Sequence, residues 1–134
     1  MKFNSAQEIF DEIDSGFDLY FTESEIYVFT YAERGSIAYY YLGMDELLRL
    51  AHEVGPDEYI GGALGPGGYI IDPDIKLANG EIAEYGTPEF DELDGTSGKG
   101  WTYDYTPILD FLERFVGEDC IYAMPSDLLE GENS

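Results

Sequence analysis

Carboxylates are the most abundant chemically active side chains of this 134-residue chain, which has 29 Asp and Glu, 6 Lys and Arg, and a formal net charge of -23. Two carboxylates can perform acid–base or glycosidic chemistry when a cleft holds them at a fixed separation. With so many acids, no particular pair is singled out. The chain has one His and one Cys, which are too few soft ligands for a zinc site. The sequence therefore predicts no catalytic residue, no metal site and no cofactor.

Three local patterns resemble parts of ligand-binding loops, and each lacks a necessary residue. The Gly-rich run 65–68 lacks the third glycine of a dinucleotide-binding loop, and the run 98–100 lacks the Ser or Thr of a phosphate-binding loop. Asp72 and Asp74 begin like a calcium loop, but Lys76 stands where an oxygen ligand is required. We expect none of these loops to bind the corresponding ligand.

His52 and Cys120 have the residue types of a base and a nucleophile. At 100° per residue, His52 lies about 140° from Leu47 on a predicted helix, which places it on the solvent side. A lone cysteine usually packs as a small hydrophobic residue. We therefore expect a surface histidine, a buried cysteine and a protein that is not an enzyme.

The acids lie in long runs of one sign, because no basic residue occurs between Lys2 and Arg34 or between Lys76 and Lys99. Self-repulsion of this size destabilises a compact chain, and solubility needs a net charge of only about 2 to 8. Adaptation to high salt is one explanation, and recognition of a basic partner is another. The acids that we expect to bind such a partner are Glu8, Asp11, Glu12, Asp14, Glu23, Glu25, Glu89, Asp91, Glu92 and Asp94.

Two periodicities predict the elements that must position these acids. Apolar residues at helical spacing predict three helices, at 5–13, 45–54 and 106–116. Aromatic and β-branched runs bounded by turn residues are candidates for short strands. These runs are 18–21, 26–32, 36–42, 59–64, 69–71, 75–78, 81–85 and 120–124. We expect an α+β fold with a mostly antiparallel sheet of about five to seven short strands and three helices.

The length favours one acidic domain over residues 1–124, followed by a frayed acidic tail at 125–134. Residues 86–100 have the composition of a long acidic loop. No apolar run is long enough for a signal peptide or a membrane span, so we expect a cytoplasmic protein. The negative charge argues against direct binding of nucleic acid or of an anionic membrane.

The density of negative charge is close to that of DNA. Duplex DNA has one charge per about 1.7 Å, so that 23 charges occupy about 39 Å, whereas a globule of this size is about 36 Å across. The 12 Tyr residues would add contact area with a polar tip, as tyrosine does in many interfaces. Tyr39, Tyr40 and Tyr41 occupy successive strand positions and therefore point to both faces of the sheet.

In size, charge density, aromatic content and lack of catalytic motifs, the chain resembles the small acidic DNA-mimic proteins of phages and mobile elements, which inhibit restriction enzymes or CRISPR nucleases. The resemblance is compositional, covers the whole chain and transfers no residue. It implies a non-enzymatic, stoichiometric inhibitor that blocks the DNA-binding channel of a basic partner. The chain is also similar to immunity proteins that neutralise basic nuclease toxins. A second alternative is a small-molecule-binding protein or enzyme that uses the Gly-rich segment 61–69.

Overall fold

The computed structural model describes residues 1–21, 27–33, 35–56, 58–64, 68–96 and 100–132. The helices are α1 (Ala6–Asp14), α2 (Met44–Val54), α3 (Gly61–Leu64), α4 (Pro88–Asp94), α5 (Thr106–Leu112, continued by a 3-10 turn at Glu113–Phe115) and α6 (Pro125–Glu132). The strands are β1 (Leu19–Phe21), β2 (Tyr27–Tyr31), β3 (Ile37–Tyr41), β4 (Tyr69–Ile71), β5 (Asp74–Leu77), β6 (Ile82–Ala83), β7 (Trp101–Asp104) and β8 (Cys120–Tyr122). The expected α+β class with antiparallel pairing is confirmed, with more helices than the three predicted. None of these helices is long and apolar enough to cross a membrane.

The larger sheet has five strands in the order β4-β3-β2-β1-β8, and every neighbouring pair is antiparallel. The predicted hairpin β2–β3 is confirmed, with Tyr31 opposite Ile37 next to its turn. The register also places Phe29 opposite Tyr39 and Tyr39 opposite Tyr69. Because side chains alternate along a strand, the odd-numbered residues of β1 to β4 share one face.

Helices α1 and α5 cover that face of the sheet. The buried residues of α1 recur at helical spacing, as the sequence predicts, and α1 packs against α5. The buried cluster comprises Ala6, Ile9, Phe10, Ile13, Leu19, Phe21, Phe29, Ile37, Ile108, Leu112, Phe115 and Cys120. Ring pairs such as Phe21–Phe115 and Phe29–Phe115, each with centroids 5.0 Å apart, fill its centre.

Helices α2 and α6 cover the opposite face, together with the short helix α3. Their cluster of buried residues comprises Tyr20, Val28, Leu47, Leu50, Ala51, Ile60, Ala123 and Leu128. The sheet is therefore covered on both faces, which explains why all three residues of β1 are buried and why this strand has no polar alternation.

The smaller sheet has the strand order β6-β5-β7 and packs against α4. Its hairpin β5–β6 turns at Asn79-Gly80 as the sequence predicts, and Gly80 has a φ of 91° that favours glycine. The buried part of its core is small, with Ile75, Ala83 and Phe90, against which Leu93, Trp101 and Tyr103 pack.

The acidic loop predicted at 86–100 is wrong over Pro88–Asp94, which form helix α4, and residues 97–99 lie outside the described residues. The hydroxyl of Thr87 accepts a hydrogen bond from the backbone N–H of Phe90 (3.3 Å), and Pro88 occupies the first turn. Both features favour a helix start. Phe90 is buried against the smaller sheet, and this contact holds the acids beside it on a helix.

The strand predicted at 59–64 is also wrong, because Gly61–Leu64 form α3. The chain is anchored there by tertiary hydrogen bonds from Ile60 N–H to the carbonyl of Ala123 (3.1 Å) and from Gly61 N–H to the carboxylate of Asp18 (2.7 Å). A local sequence pattern cannot predict hydrogen bonds between residues this far apart in the chain.

Residues 125–132 also differ from the frayed tail predicted at 125–134, of which residues 133 and 134 lie outside the described residues. Helix α6 begins at Pro125, an amino acid that favours the first turn of a helix. Leu128 is buried in the cluster that includes residues of α2, so this segment is packed against the sheet.

Candidate partner interface

Helix α1 displays three of the predicted partner-binding acids on its solvent side. Ser5 caps the helix by accepting a hydrogen bond from the N–H of Glu8 (3.2 Å). Since the apolar residues of α1 face the core, Glu8, Asp11 and Asp14 are exposed. The Asp11 carboxylate accepts a hydrogen bond from the side-chain amide of Gln7 (2.8 Å), which leaves further lone pairs for a partner.

Glu12 has a different environment from the other acids of α1. It is half-buried, and its carboxylate accepts a hydrogen bond from the hydroxyl of Tyr122 on β8 (2.8 Å). This hydrogen bond, with smaller contributions from burial and nearby charge, raises the pKa of Tyr122 to about 12. Glu12 therefore joins α1 to the sheet in addition to contributing charge.

Helix α4 repeats this arrangement on the smaller sheet. Glu89, Asp91 and Glu92 are exposed, whereas Asp94 accepts a hydrogen bond from the hydroxyl of Tyr103 on β7 (2.6 Å). The sequence correctly predicts that these acids lie at the surface. In the structure they lie on a helix, whereas the sequence predicts a loop. Asp94 is consequently a contact within the fold as well as a surface charge.

The structure gathers the predicted acids into two groups, which belong to different hydrophobic clusters. The α1 acids are held over the large sheet, and the α4 acids are held over the small sheet. Glu23 and Glu25 lie outside the described residues.

Basic side chains neutralise other parts of the surface. On α2, Arg49 pairs with both Glu46 and Glu53, and near the N-terminus Lys2 lies 3.9 Å from Asp119. Within the described ranges, no ion pair includes the exposed acids of α1 or α4, which are Glu8, Asp11, Asp14, Glu89, Asp91 and Glu92. These two helices therefore present carboxylates that are available to an external cation.

Tyrosines form a third surface feature, at the β4 edge of the large sheet. The rings of Phe111, Tyr39 and Tyr69 are stacked, with centroids 4.9 Å apart in the first pair and 5.2 Å apart in the second. Tyr41, on the same face, contacts Tyr27 and is 65% exposed, and Tyr69 is 66% exposed. Strand alternation could have grouped Tyr39 with Tyr41, but the pairing of Tyr69 with Tyr39 required the sheet order.

No protein-family model, curated protein or solved structure matches this chain. The functional argument therefore rests on its own charges, contacts and exposed side chains.

The expectations for His52 and Cys120 are confirmed. His52 is exposed on α2, and Cys120 is buried in the cluster on the opposite face of the sheet. Burial raises the pKa of the Cys120 thiol to about 12, so at neutral pH the sulfur is protonated and a poor nucleophile. The two side chains do not form a catalytic pair.

The Gly-rich segment 61–69 was the candidate rim of a small-molecule site. The first N–H group of this segment, that of Gly61, already donates a hydrogen bond to the Asp18 carboxylate. A Cβ at Gly61 would lie 2.3 Å from that carboxylate. Glycine is therefore needed there for close packing. Residues 65–67 lie outside the described ranges. Among the residues that are described, no group of three or more His, Cys, Asp or Glu is arranged to hold a metal ion.

Among the residues whose burial the structure describes, Asp18 is the acid that contributes least to the surface, with 5% of its area exposed. Burial raises its pKa, and hydrogen bonds from Thr30 and from the backbone of Gly61 oppose that rise. The side chain connects β1, β2 and α3, and we assign it a structural role.

Proposed function

We propose that this protein is a non-enzymatic, stoichiometric inhibitor whose acidic surface occupies the nucleic-acid-binding channel of a basic partner, preferably a CRISPR or restriction nuclease. One observation carries the proposal: two capped helices present exposed carboxylates that no described basic side chain neutralises. Arginines that bind phosphates also bind carboxylates in a bidentate manner. We place the protein in the cytoplasm, where such a nuclease acts.

The spacing of the α1 acids supports mimicry of a nucleic-acid strand. Glu8, Asp11 and Asp14 are three residues apart, which corresponds to a rise of about 4.5 Å along a helix. A DNA strand has one phosphate per about 3.4 Å of its axis. The helix therefore presents a line of negative charge only slightly less dense than that of one strand.

Helical support also favours tight binding. Carboxylates on a packed helix lose less conformational freedom on binding than carboxylates on a mobile loop. The long-range field of the whole surface would raise the frequency of productive encounters with a cationic channel.

Association kinetics with a panel of nucleases, measured with and without target DNA, test the proposal. The first variant is Glu8→Gln/Asp11→Asn/Asp14→Asn and the second is Glu89→Gln/Asp91→Asn/Glu92→Gln. Both retain Glu12 and Asp94, whose carboxylates bind tyrosine hydroxyls. We expect at least one of the two to lower the association rate about three- to tenfold and to flatten its salt dependence.

A charge-matched control changes three exposed acids elsewhere, in Glu53→Gln/Glu58→Gln/Glu81→Gln. An equal effect of this control would mean that net charge acts without a defined interface. An inhibitor that binds its nuclease but does not compete with DNA would contradict mimicry and favour the mode of an immunity protein. A flat salt dependence of the unmodified protein would favour adaptation to high salt.

A further inference from the structure

The two edges of the large sheet differ in how they are covered. At the β8 edge, the N–H of Cys120 donates to the carbonyl of Met1 (2.9 Å) and the N–H of Gly117 donates to the carbonyl of Phe3 (3.0 Å). At the opposite edge lies β4. None of the backbone hydrogen bonds among the described residues reaches its outer side. The edge formed by β4 is therefore available for pairing.

The side chains of β4 make this open edge unusual. Tyr69 is 66% exposed on one face of the strand, and Ile70 is 56% exposed on the other. Proteins normally protect an open edge with charged residues or proline, because an apolar edge recruits other strands. Exposed apolar residues on an unprotected edge indicate a binding site for an extended segment.

The stacked rings beside this edge offer a surface for a planar cation. In the stack of Phe111, Tyr39 and Tyr69, the outermost ring is that of Tyr69, and it is the most exposed of the three. The guanidinium of Arg114 already lies over the Phe111 ring, 5.1 Å from its centroid. A second guanidinium could bind the Tyr69 ring in the same way.

Charge selects the occupant of this edge. Asp45 lies four residues beyond the exposed Tyr41, Asp110 precedes Phe111, and both carboxylates are exposed. Arginine combines stacking on aromatic rings with bidentate binding of carboxylates. A second copy of this chain fits less well, because each copy carries a net charge of -23 and the two would repel.

We infer that the outer edge of β4 binds an extended, arginine-bearing segment of the partner, which pairs with β4 as an additional strand and places a guanidinium on the ring of Tyr69. The inference rests on the proposed function for the basic character of the partner. It goes beyond that proposal by assigning a separate contact surface that does not include the acids of α1 and α4.

A synthetic peptide in which arginine alternates with valine is the probe. Its control has the same sequence and charge but is N-methylated at every residue, so that it has no backbone N–H to donate along either edge. We expect the first peptide, at physiological salt, to shift the amide resonances of Tyr69–Ile71 in the 15N-labelled protein. The N-methylated peptide should bind at least about tenfold more weakly through the loss of several backbone hydrogen bonds.

Tyr69→Ala should weaken binding of the alternating peptide about tenfold, as expected for loss of a cation–π contact and its buried area. Tyr85→Ala is the matched control, because Tyr85 is 55% exposed and packs against Phe90 of α4. Tyr69→Leu retains apolar bulk without the ring and should also weaken binding, so that a folding defect of the alanine variant would not decide the result.

Equal binding of the two peptides, or no effect of both Tyr69 variants, would overturn the inference. So would sedimentation of the unmodified protein as a dimer that Tyr69→Ala dissociates, because a second copy would then occupy the edge. The proposed function fails separately, if no nuclease complex competes with DNA while the peptide still binds to β4. Competition with DNA that persists in both Tyr69 variants, with no peptide binding to β4, would overturn the inference alone.

Discussion

The helices α1 and α4 present similar charges, but hydrophobic contacts of unequal extent hold them to the fold. Both are capped by a hydroxyl, from Ser5 and Thr87 respectively, and both expose three carboxylates. Helix α1 has four buried residues in a cluster that includes β1, β2 and α5, whereas Phe90 is the one buried residue of α4 in the described part of the chain. Equal surfaces therefore rest on cores of very different size.

Each helix is also joined to a strand by one tyrosine–carboxylate hydrogen bond. The hydroxyl of Tyr122 donates to Glu12 over 2.8 Å, and that of Tyr103 donates to Asp94 over 2.6 Å. For α1 this bond supplements a large apolar contact, but for α4 it is a larger share of what holds the helix in place. We expect the α1 acids to keep fixed positions and the α4 acids to open more readily from the fold.

The largest effect on stability is expected from a change in the buried face of α1. Ile9→Ala removes a fully buried side chain and should lower the free energy of unfolding by about 2 to 5 kcal/mol. Urea denaturation followed by circular dichroism measures it. Gln7→Ala, an exposed change on the same helix, should stay within about 0.5 kcal/mol. A loss below about 1 kcal/mol for Ile9→Ala would mean that α1 is not an integral part of the core.

Phe90→Ala should have a smaller and more local effect. It removes one of three buried side chains of the small cluster, so we expect hydrogen exchange in α4 and β5 to accelerate at least about tenfold, while β1 to β3 keep their protection. Mass spectrometry of deuterium uptake measures both. Equal acceleration in the two sheets would show that they unfold as one unit and would remove the contrast between the helices.

The two tyrosine hydroxyls allow a direct comparison. Tyr103→Phe should lower the free energy of opening of α4, measured by hydrogen exchange, by about 1 kcal/mol, because it removes a hydrogen bond to a partly buried carboxylate. Tyr122→Phe removes the same kind of hydrogen bond from α1. It should change hydrogen exchange in that helix less, since four buried apolar side chains still hold α1 in place. The reverse order of the two effects would contradict the assignment of α4 as the weaker helix.

The smallest expected effect is a change in the pKa of Tyr122. The neutral phenol of Tyr122 donates to Glu12, so the bond stabilises the fold at pH values below about 10, and this stabilisation is lost as the pH rises through the raised pKa of about 12. Glu12→Gln removes the anionic acceptor and should lower that pKa. Carbon NMR of labelled tyrosine rings resolves the titration, with Glu8→Gln as the control. An unchanged titration in Glu12→Gln would exclude this hydrogen bond in solution.

Local patterns were sufficient for α1, where Ser5 and the buried stripe agree with each other. They were also sufficient for the β2–β3 hairpin and for the turn at Asn79-Gly80. The sequence of α4 contained the same kind of signal as α5, because Thr87-Pro88 matches Thr106-Pro107. Its single buried aromatic and its many acids favoured a loop interpretation, and β7, the third strand of the small sheet that supports it, was not predicted from the sequence.

Other features depended on distant contacts. Helix α3 forms beside Asp18, which lies 43 positions before Gly61, and no periodicity predicts that packing. The stacked rings at the β4 edge required the pairing of β3 with a strand well beyond α2. The acids of the proposed interface could be named from charge runs, but their division between two helices followed only from the fold.

The buried carboxylate of Asp18 couples folding to pH. Its raised pKa means that, between its ordinary value of 3.8 and its value in the fold, the folded chain holds a proton that the unfolded chain releases. The contribution of this group to the free energy of unfolding therefore grows as the pH falls through that interval and is lost as the pH rises. Acid thus favours the junction of β1, β2 and α3 that Asp18 connects, which makes this carboxylate a source of acid tolerance in the fold.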